Sequence, residues 1–254
     1  RNQEVWEKCW NKMTQMGAEW VPFLEIQAQW KFAQGEVEEA RELYWKALRQ
    51  APTSMKILEP LLRLEFMHGS NELRDPLVRA ALALDPNHAL ANFVLGTMQV
   101  HRGEILEAEA SLRVAYEQEP SAMAINNLAW VLIERGKYEE ALDLAEEGLN
   151  SVDTMFALWD TRGMALFELG LIEEAEQSYR RAMELEPRHP TVKLHLAETF
   201  LLQDRVEEAK TMMDEVDRDE FPIPETELSL YEEIRTQLGV EDQQGEELPS
   251  DQAI

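Results

Sequence analysis

The chain has 254 residues, 44% of them hydrophobic, and a formal net charge of -26 from 50 acidic and 24 basic residues. A surface of that sign repels nucleic-acid phosphates and anionic lipid headgroups, so neither is expected as a partner. The apolar runs fall far short of the roughly 20 residues that a membrane-crossing helix needs, and the lone Cys9 excludes an internal disulfide, which leaves the compartment open.

Residues 3 to 16 place Trp6, Cys9, Trp10, Met13 and Met16 at helical spacing. Trp6, Trp10 and Met13 fall one period ahead of Ala40, Tyr44 and Ala47, so residues 1–17 read either as the second helix of a preceding repeat or as a capping helix. Opening at Arg1 with no charged-then-apolar leader, the sequence reads as a processed form or an excised piece, and its localisation, cytoplasmic or bacterial periplasmic, stays unknown.

From residue 21 onward the sequence repeats. Glycines stand at Gly35, Gly69, Gly103, Gly136 and Gly170, with Asp204 in the next slot, at steps of 34, 34, 33, 34 and 34 residues. Prolines at Pro52, Pro86, Pro120 and Pro187, with Asp153 filling the gap, keep the same steps. Two columns of small residues run in phase with them: Ala28, Gly96, Ala129, Gly163 and Ala197, and then Ala40, Ala108, Ala141, Ala175 and Ala209. Tyr44, Val78, Leu112 and Tyr179 follow the second column by four residues, and Ala47, Ala81, Ala115 and Ala182 come three later, spacings that make one helix face. Each period therefore predicts a helix A, a tight turn whose glycine takes φ > 0, and a helix B that ends before the proline, the small residues letting A and B pack closely. The expected units are 21–54, 55–88, 89–121, 122–155, 156–189 and 190–221.

The second unit departs from the pattern, with Leu62 and Arg74 where small residues belong and Pro76 inside helix B. Its helix B is expected to start late, with Asp75 as N-cap and Pro76 at the first helical position. The acidic pairs Glu38-Glu39, Glu139-Glu140, Glu173-Glu174 and Glu207-Glu208 fall in first turns of B helices, where carboxylates suit the positive end of the helix dipole; they read as solvated structure, not chemistry. Beyond the repeats, Pro224 introduces an expected capping helix over 224–239 with Leu228, Tyr231, Ile234 and Leu238 on one side, and the acidic stretch 240–254 reads as a disordered tail.

A period near 34, small residues at the A/B contact, an aromatic in helix B, a closing proline, and strings such as Asn126-Asn127-Leu128-Ala129 and Gly136-Lys137-Tyr138-Glu139-Glu140-Ala141 resemble the tetratricopeptide repeat. The resemblance covers 21–221 and implies an all-α, right-handed superhelical solenoid of about six helix-turn-helix units, used for protein binding. In that family helix A lines the concave surface. Carried over, the face would present Glu25, Gln29, Phe32, Glu59, Arg63 and Phe66 in the first two units, then Phe93, Thr97 and Val100, and Asn126, Asn127, Trp130 and Ile133. Asp160, Met164 and Phe167, and finally His195 and Glu198, complete it. Phe93, Thr97, Asn126, Asn127, Trp130, Asp160, Met164, Phe167 and His195 are the candidate peptide contacts, aromatics taking apolar side chains while amides meet peptide groups. The subtype that clamps chaperone carboxylate tails needs Lys on this face; Glu25, Glu59, Phe93, Asn126, Asp160 and Leu194 stand there instead, which disfavours such tails and favours a neutral or basic ligand.

No phosphate loop, zinc-binding His pair, paired cysteines or nucleophile elbow occurs in the sequence, so no catalytic residue, cofactor or metal is expected and the chain does not read as an enzyme. The leading expectation is a noncatalytic interaction scaffold. One alternative is a self-associating assembly module that forms a homo-oligomer through the Trp-rich start, Trp6, Trp10, Trp20 and Trp30; strings around Asn126, Asp160 and His189 are similar to bacterial repeat proteins of envelope or exopolysaccharide assembly. Another is the regulatory or substrate-docking arm of a larger enzyme.

Overall fold

Two apolar stripes at helical spacing, separated by a residue that tolerates a left-handed backbone, dictate a helical hairpin, and the computed structural model forms them in succession. It describes residues 12, 20–69, 71–218 and 221–239. The helix expected within 1–17 and the tail 240–254 lie outside the described residues. Among the described residues there are thirteen α-helices, one 3-10 turn and no strand.

The chain divides into two compact units, Arg1–Pro120 and Ser121–Ile254. The first holds the hairpins α1 (Val21–Ala33) with α2 (Val37–Gln50), α3 (Met55–His68) with α4 (Asn71–Leu84), and α5 (Ala89–His101) with α6 (Ile105–Gln118). The second holds α7 (Ala122–Glu134) with α8 (Tyr138–Ser151), α9 (Phe156–Glu168) with α10 (Ile172–Leu185), and α11 (Pro190–Leu202) with α12 (Val206–Arg218). A 3-10 turn, Glu225–Glu227, then leads into α13 (Leu228–Leu238), which packs on α11 and α12 and ends at Gly239 with φ 68°. Of the side of α13 expected to face the repeats, Ile234 is buried while Leu228 is exposed. No helix among the described residues is long and apolar enough to cross a membrane.

The turns show why a glycine column exists. At Gly170, φ 76° swings the chain back so that Leu171 N–H donates to Leu166 O at 2.9 Å, closing the end of α9. Asp204 does the same at φ 58°, with Arg205 N–H donating to Phe200 O at 2.8 Å. Gly69 corrects the expectation: its φ of -103° is ordinary backbone. Glycine stands there for space, because a Cβ would fall 2.0 Å from Glu65 Oε2.

Arg74 accounts for this exception. Its guanidinium donates to the carbonyls of Glu65 (2.9 Å), Phe66 (3.1 Å) and Gly69 (2.8 Å), satisfying the C-terminal end of α3 by side chain where other hairpins use a left-handed turn. That anchorage also explains the second correction: α4 begins at Asn71, not after Asp75, and Pro76 lies inside it. The turn before the proline is held helical by Arg74, which offsets the hydrogen bond that Pro76 cannot make. Pro60 sits at the matching sixth position of α3.

The small columns are contact points. Ala28, Ala129, Ala197, Ala40, Ala108, Ala141, Ala175 and Ala209 are fully buried. Gly96 and Gly163 lie directly beneath the large residues of helix B: a Cβ at Gly96 would come within 2.6 Å of Leu112 Cγ, and one at Gly163 within 2.5 Å of the Tyr179 ring. Close packing also encloses charge. Glu65, fully buried, accepts from Arg41 Nε at 3.0 Å and from Trp45 Nε1 at 3.3 Å, tying α3 to α2.

Candidate functional site

In the second unit the A helices α7, α9 and α11 pack in sequence, α9 touching both others. A repeat of 34 residues plus one step along the helix brings residues 35 apart abreast. Thr161 Oγ1 donates to Asn126 Oδ1 at 3.0 Å, joining α9 to α7, and His195 Nδ1 lies 2.8 Å from Asp160 Oδ1, joining α11 to α9.

Beside these lateral bonds opens a cavity of about 420 Å³. Trp130 and Ile133 of α7, Met164 and Phe167 of α9, and Tyr179 of α10 supply aromatic and apolar wall. Glu134, Glu168, Glu198 and Glu227 supply carboxylates, and Thr226 and Leu230, from the 3-10 turn and α13, close one side. His195 is the basic residue of the lining.

Electrostatics follow from that inventory. Burial alone would lower the His195 pKa, but Asp160, by charge and hydrogen bond, with Glu227 and Glu198, raises it from 6.5 to about 9, so the imidazole is protonated at neutral pH and donates to Asp160. Its Nε2 lies 3.8 Å from Glu227 Oε2, and the Tyr179 ring is 5.1 Å away. Burial first, then Glu227 and Glu168, raises the Glu134 pKa. Burial also raises that of Glu198, the His195 charge opposing and Glu233, Glu168 and Glu227 adding to the rise. Burial, with Asp160, holds the Tyr179 phenol well above its usual range. The pocket is short of positive charge.

Of the candidate contacts, Trp130, Met164, Phe167 and His195 line the cavity, and Asp160 holds His195 in place. Asn126 is bonded to Thr161, and Asn127 is partly buried on α7. Phe93 and Thr97 belong to the first unit. There Phe93 is 8% exposed and edge-on to Phe66 at 5.3 Å, and the Thr97 hydroxyl donates to Phe93 O at 2.9 Å. The A helices of that unit border a smaller cavity of about 230 Å³ lined by Gln29, Phe32, Glu59 and Arg63, in which Arg63 pairs with Glu59 at 3.2 Å. Among the described residues no group of three or more His, Cys, Asp and Glu could hold a metal ion.

Sequence reading missed Glu134, Glu168 and Glu227. The signal for the first two was available: they stand one 34-residue period apart, next to the candidate positions Ile133 and Phe167. For Glu227 there was none, since it lies outside the repeat and reaches the pocket only because the 3-10 turn carries it there.

Family models described as tetratricopeptide repeat match residues 76–122, 121–151 and 166–222. Human protein O-mannosyl-transferase TMTC1 is 27% identical over 158 residues, 60% of this chain and 18% of that protein. Cellulose synthase operon protein C of Pseudomonas fluorescens (strain SBW25) is 25% identical over 196 residues, 74% of this chain and 14% of that protein. The chain thus spans less than a fifth of the length of these curated relatives. Among solved structures, one titled as the APC/C hetero-tetramer Cut9-Hcn1 aligns with a TM-score of 0.69 at 17% identity, covering 89% of this chain and 45% of that one.

Proposed function

The chain belongs to the tetratricopeptide-repeat family, whose fold is that of protein-interaction scaffolds, and we propose that it acts without catalysis, holding an extended segment of a neutral or basic protein partner on its A helices. The cavity beside α7, α9 and α11 is the observation that carries this reading. It combines apolar wall from Trp130, Met164 and Phe167 with polar groups that are already oriented by packing, the composition a peptide site needs.

The test is selection of displayed random peptides of about 12 residues on the purified chain beside a Trp130→Ala, Phe167→Ala double variant with an unchanged circular dichroism spectrum. The wild-type chain is expected to enrich a family of peptides that the variant does not retain. Equal retention by the variant moves recognition away from this cavity, and failure to enrich any family overturns peptide binding.

A second reading, the docking arm of a longer enzyme or assembly protein, is favoured by the curated relatives, a mannosyl-transferase and a cellulose synthase operon protein, each more than five times the matched length. The full reading frame distinguishes the two. Self-association has its own observation in Trp20 and Trp30, exposed at 55% and 48%, and is tested by the solution mass of the chain and of a Trp20→Ala, Trp30→Ala variant.

A further inference from the structure

We propose that the second-unit cavity is a receptor for one cationic side chain, an arginine or lysine of the bound peptide, seated between the Trp130 and Phe167 rings and the carboxylates of Glu134 and Glu198. This deepens the peptide-binding reading and rests on it.

Three observations converge. The lining sets four carboxylates against one imidazolium, and that imidazolium is already committed to Asp160 at 2.8 Å. Among the described residues, the lysine and arginine ion pairs seen in this unit fall on Glu146, Glu176, Glu184, Glu207, Glu208 and Glu215, all outside the cavity lining, and no lysine or arginine stands among the causes of the raised Glu134 and Glu198 pKa values. The first unit shows the contrast. Its A-helix cavity also contains a glutamate, Glu59, but carries its own cation in Arg63, 3.2 Å away. A pocket whose lining holds more carboxylates than cations is complementary to a positive charge arriving from outside.

The kind of cation follows from spacing and from the walls. A metal ion needs three or more ligand groups converging within about 2.6 Å, and no such group forms among the described residues. Carboxylates spread over α7, α9, α11 and the 3-10 turn suit instead a charge delocalised or carried on a long stem. Indole and phenyl faces then attract it, since the ring quadrupole presents negative potential to a cation within about 6 Å. A guanidinium meets both demands, stacking on a ring while its edge donates to a carboxylate. The raised carboxyl pKa values of Glu134 and Glu198 agree, because each is held up by burial and by neighbouring carboxylates, strain that an incoming cation relieves.

Single capped amino acids isolate the pocket from the rest of any peptide. N-acetyl-arginine methylamide, its lysine counterpart and the neutral norleucine counterpart are titrated into the full chain to about 20 mM, and the Trp130 indole resonance, assigned with Trp130→Phe, is followed by NMR. Both cations are expected to shift it, with norleucine at least about tenfold weaker, the scale of a hydrogen bond to a charged group. Glu134→Gln and Glu198→Gln should each weaken the arginine derivative several-fold, while Glu59→Gln in the first unit leaves it unchanged. Equal binding of norleucine overturns the cation receptor yet leaves an apolar peptide site standing. Silence from all three overturns it as well, and the peptide selection above still judges the broader reading. Displacement of the arginine derivative by millimolar calcium overturns it in favour of a metal site.

Discussion

Gly163 and Gly170 lie seven residues apart and are glycine for different reasons. Alanine at 163 puts a methyl 2.5 Å from the Tyr179 ring, which has no room to retreat from the core, so Gly163→Ala should cost about 1–3 kcal/mol in urea unfolding. Alanine at 170 meets nothing within 4 Å, but φ 76° taxes any Cβ by roughly 1 kcal/mol. Asp204, at φ 58°, already bears a smaller version of that cost, so Asp204→Gly should stabilise by a few tenths to about 1 kcal/mol. The same scale governs the Arg41–Glu65 pair. Arg41→Met strands a fully buried carboxylate and should cost about 3–5 kcal/mol, most of it recovered by adding Glu65→Leu; an additive double variant would show that the pair is uncoupled. The columns of small residues were legible because close helix contact permits few side chains. Arg74 was not: a long side chain in a small-residue column reads as a defect until the three carbonyls it reaches are seen.

Between elements, the bond from α11 to α9 titrates above neutral pH. The pKa of His195 rises from 6.5 to about 9 on folding, so its contribution is fully present below about pH 6.5 and disappears as pH climbs through 9. Chemical unfolding at pH 6.5 and above pH 9 should differ by up to about 3 kcal/mol, and His195→Asn should flatten that slope. Asp160 of α9, Glu227 of the 3-10 turn, Tyr179 of α10 and Glu198 of α11 itself face the imidazole, and the three carboxylates make the shift positive despite full burial. Glu134 and Glu198 add a drift of the same sign at lower pH, since carboxyl groups with raised folded pKa values favour folding below the usual carboxylate range and lose that as pH rises. Ala141, fully buried at the α7–α8 contact, gives a cleaner test of packing: Ala141→Arg should abolish cooperative melting of that hairpin, whereas Asn127→Ala should leave it folded. Candidate positions at this scale were legible wherever the 34-residue period fixed them, as for Trp130, Met164, Phe167 and His195. The carboxylate side of the pocket was not, because Glu134 reads by sequence as an ordinary helix end and Glu227 arrives from a turn with no repeat to place it.

For the whole chain, a net charge of -26 means that folding gathers like charges together. Raising salt from about 10 mM to about 150 mM shortens the Debye length from roughly 30 to 8 Å, and the melting midpoint should rise by about 2–4 °C; a midpoint that falls would mean that favourable pairs such as Arg205 with Glu176 outweigh the repulsion. The division of labour between hairpins has a consequence in time. Arg74 finds its acceptors within nine residues, Arg41 finds Glu65 at 24, and the longest lateral bonds, Asn126 to Thr161 and Asp160 to His195, span 35. Every one of these contacts can close once a single further repeat has been synthesised. At roughly 5–20 residues per second, a ribosome needs seconds to deliver each repeat, far longer than a hairpin of local contacts needs to form. The chain can therefore fold in the order it is made, each finished hairpin offering the template for the next.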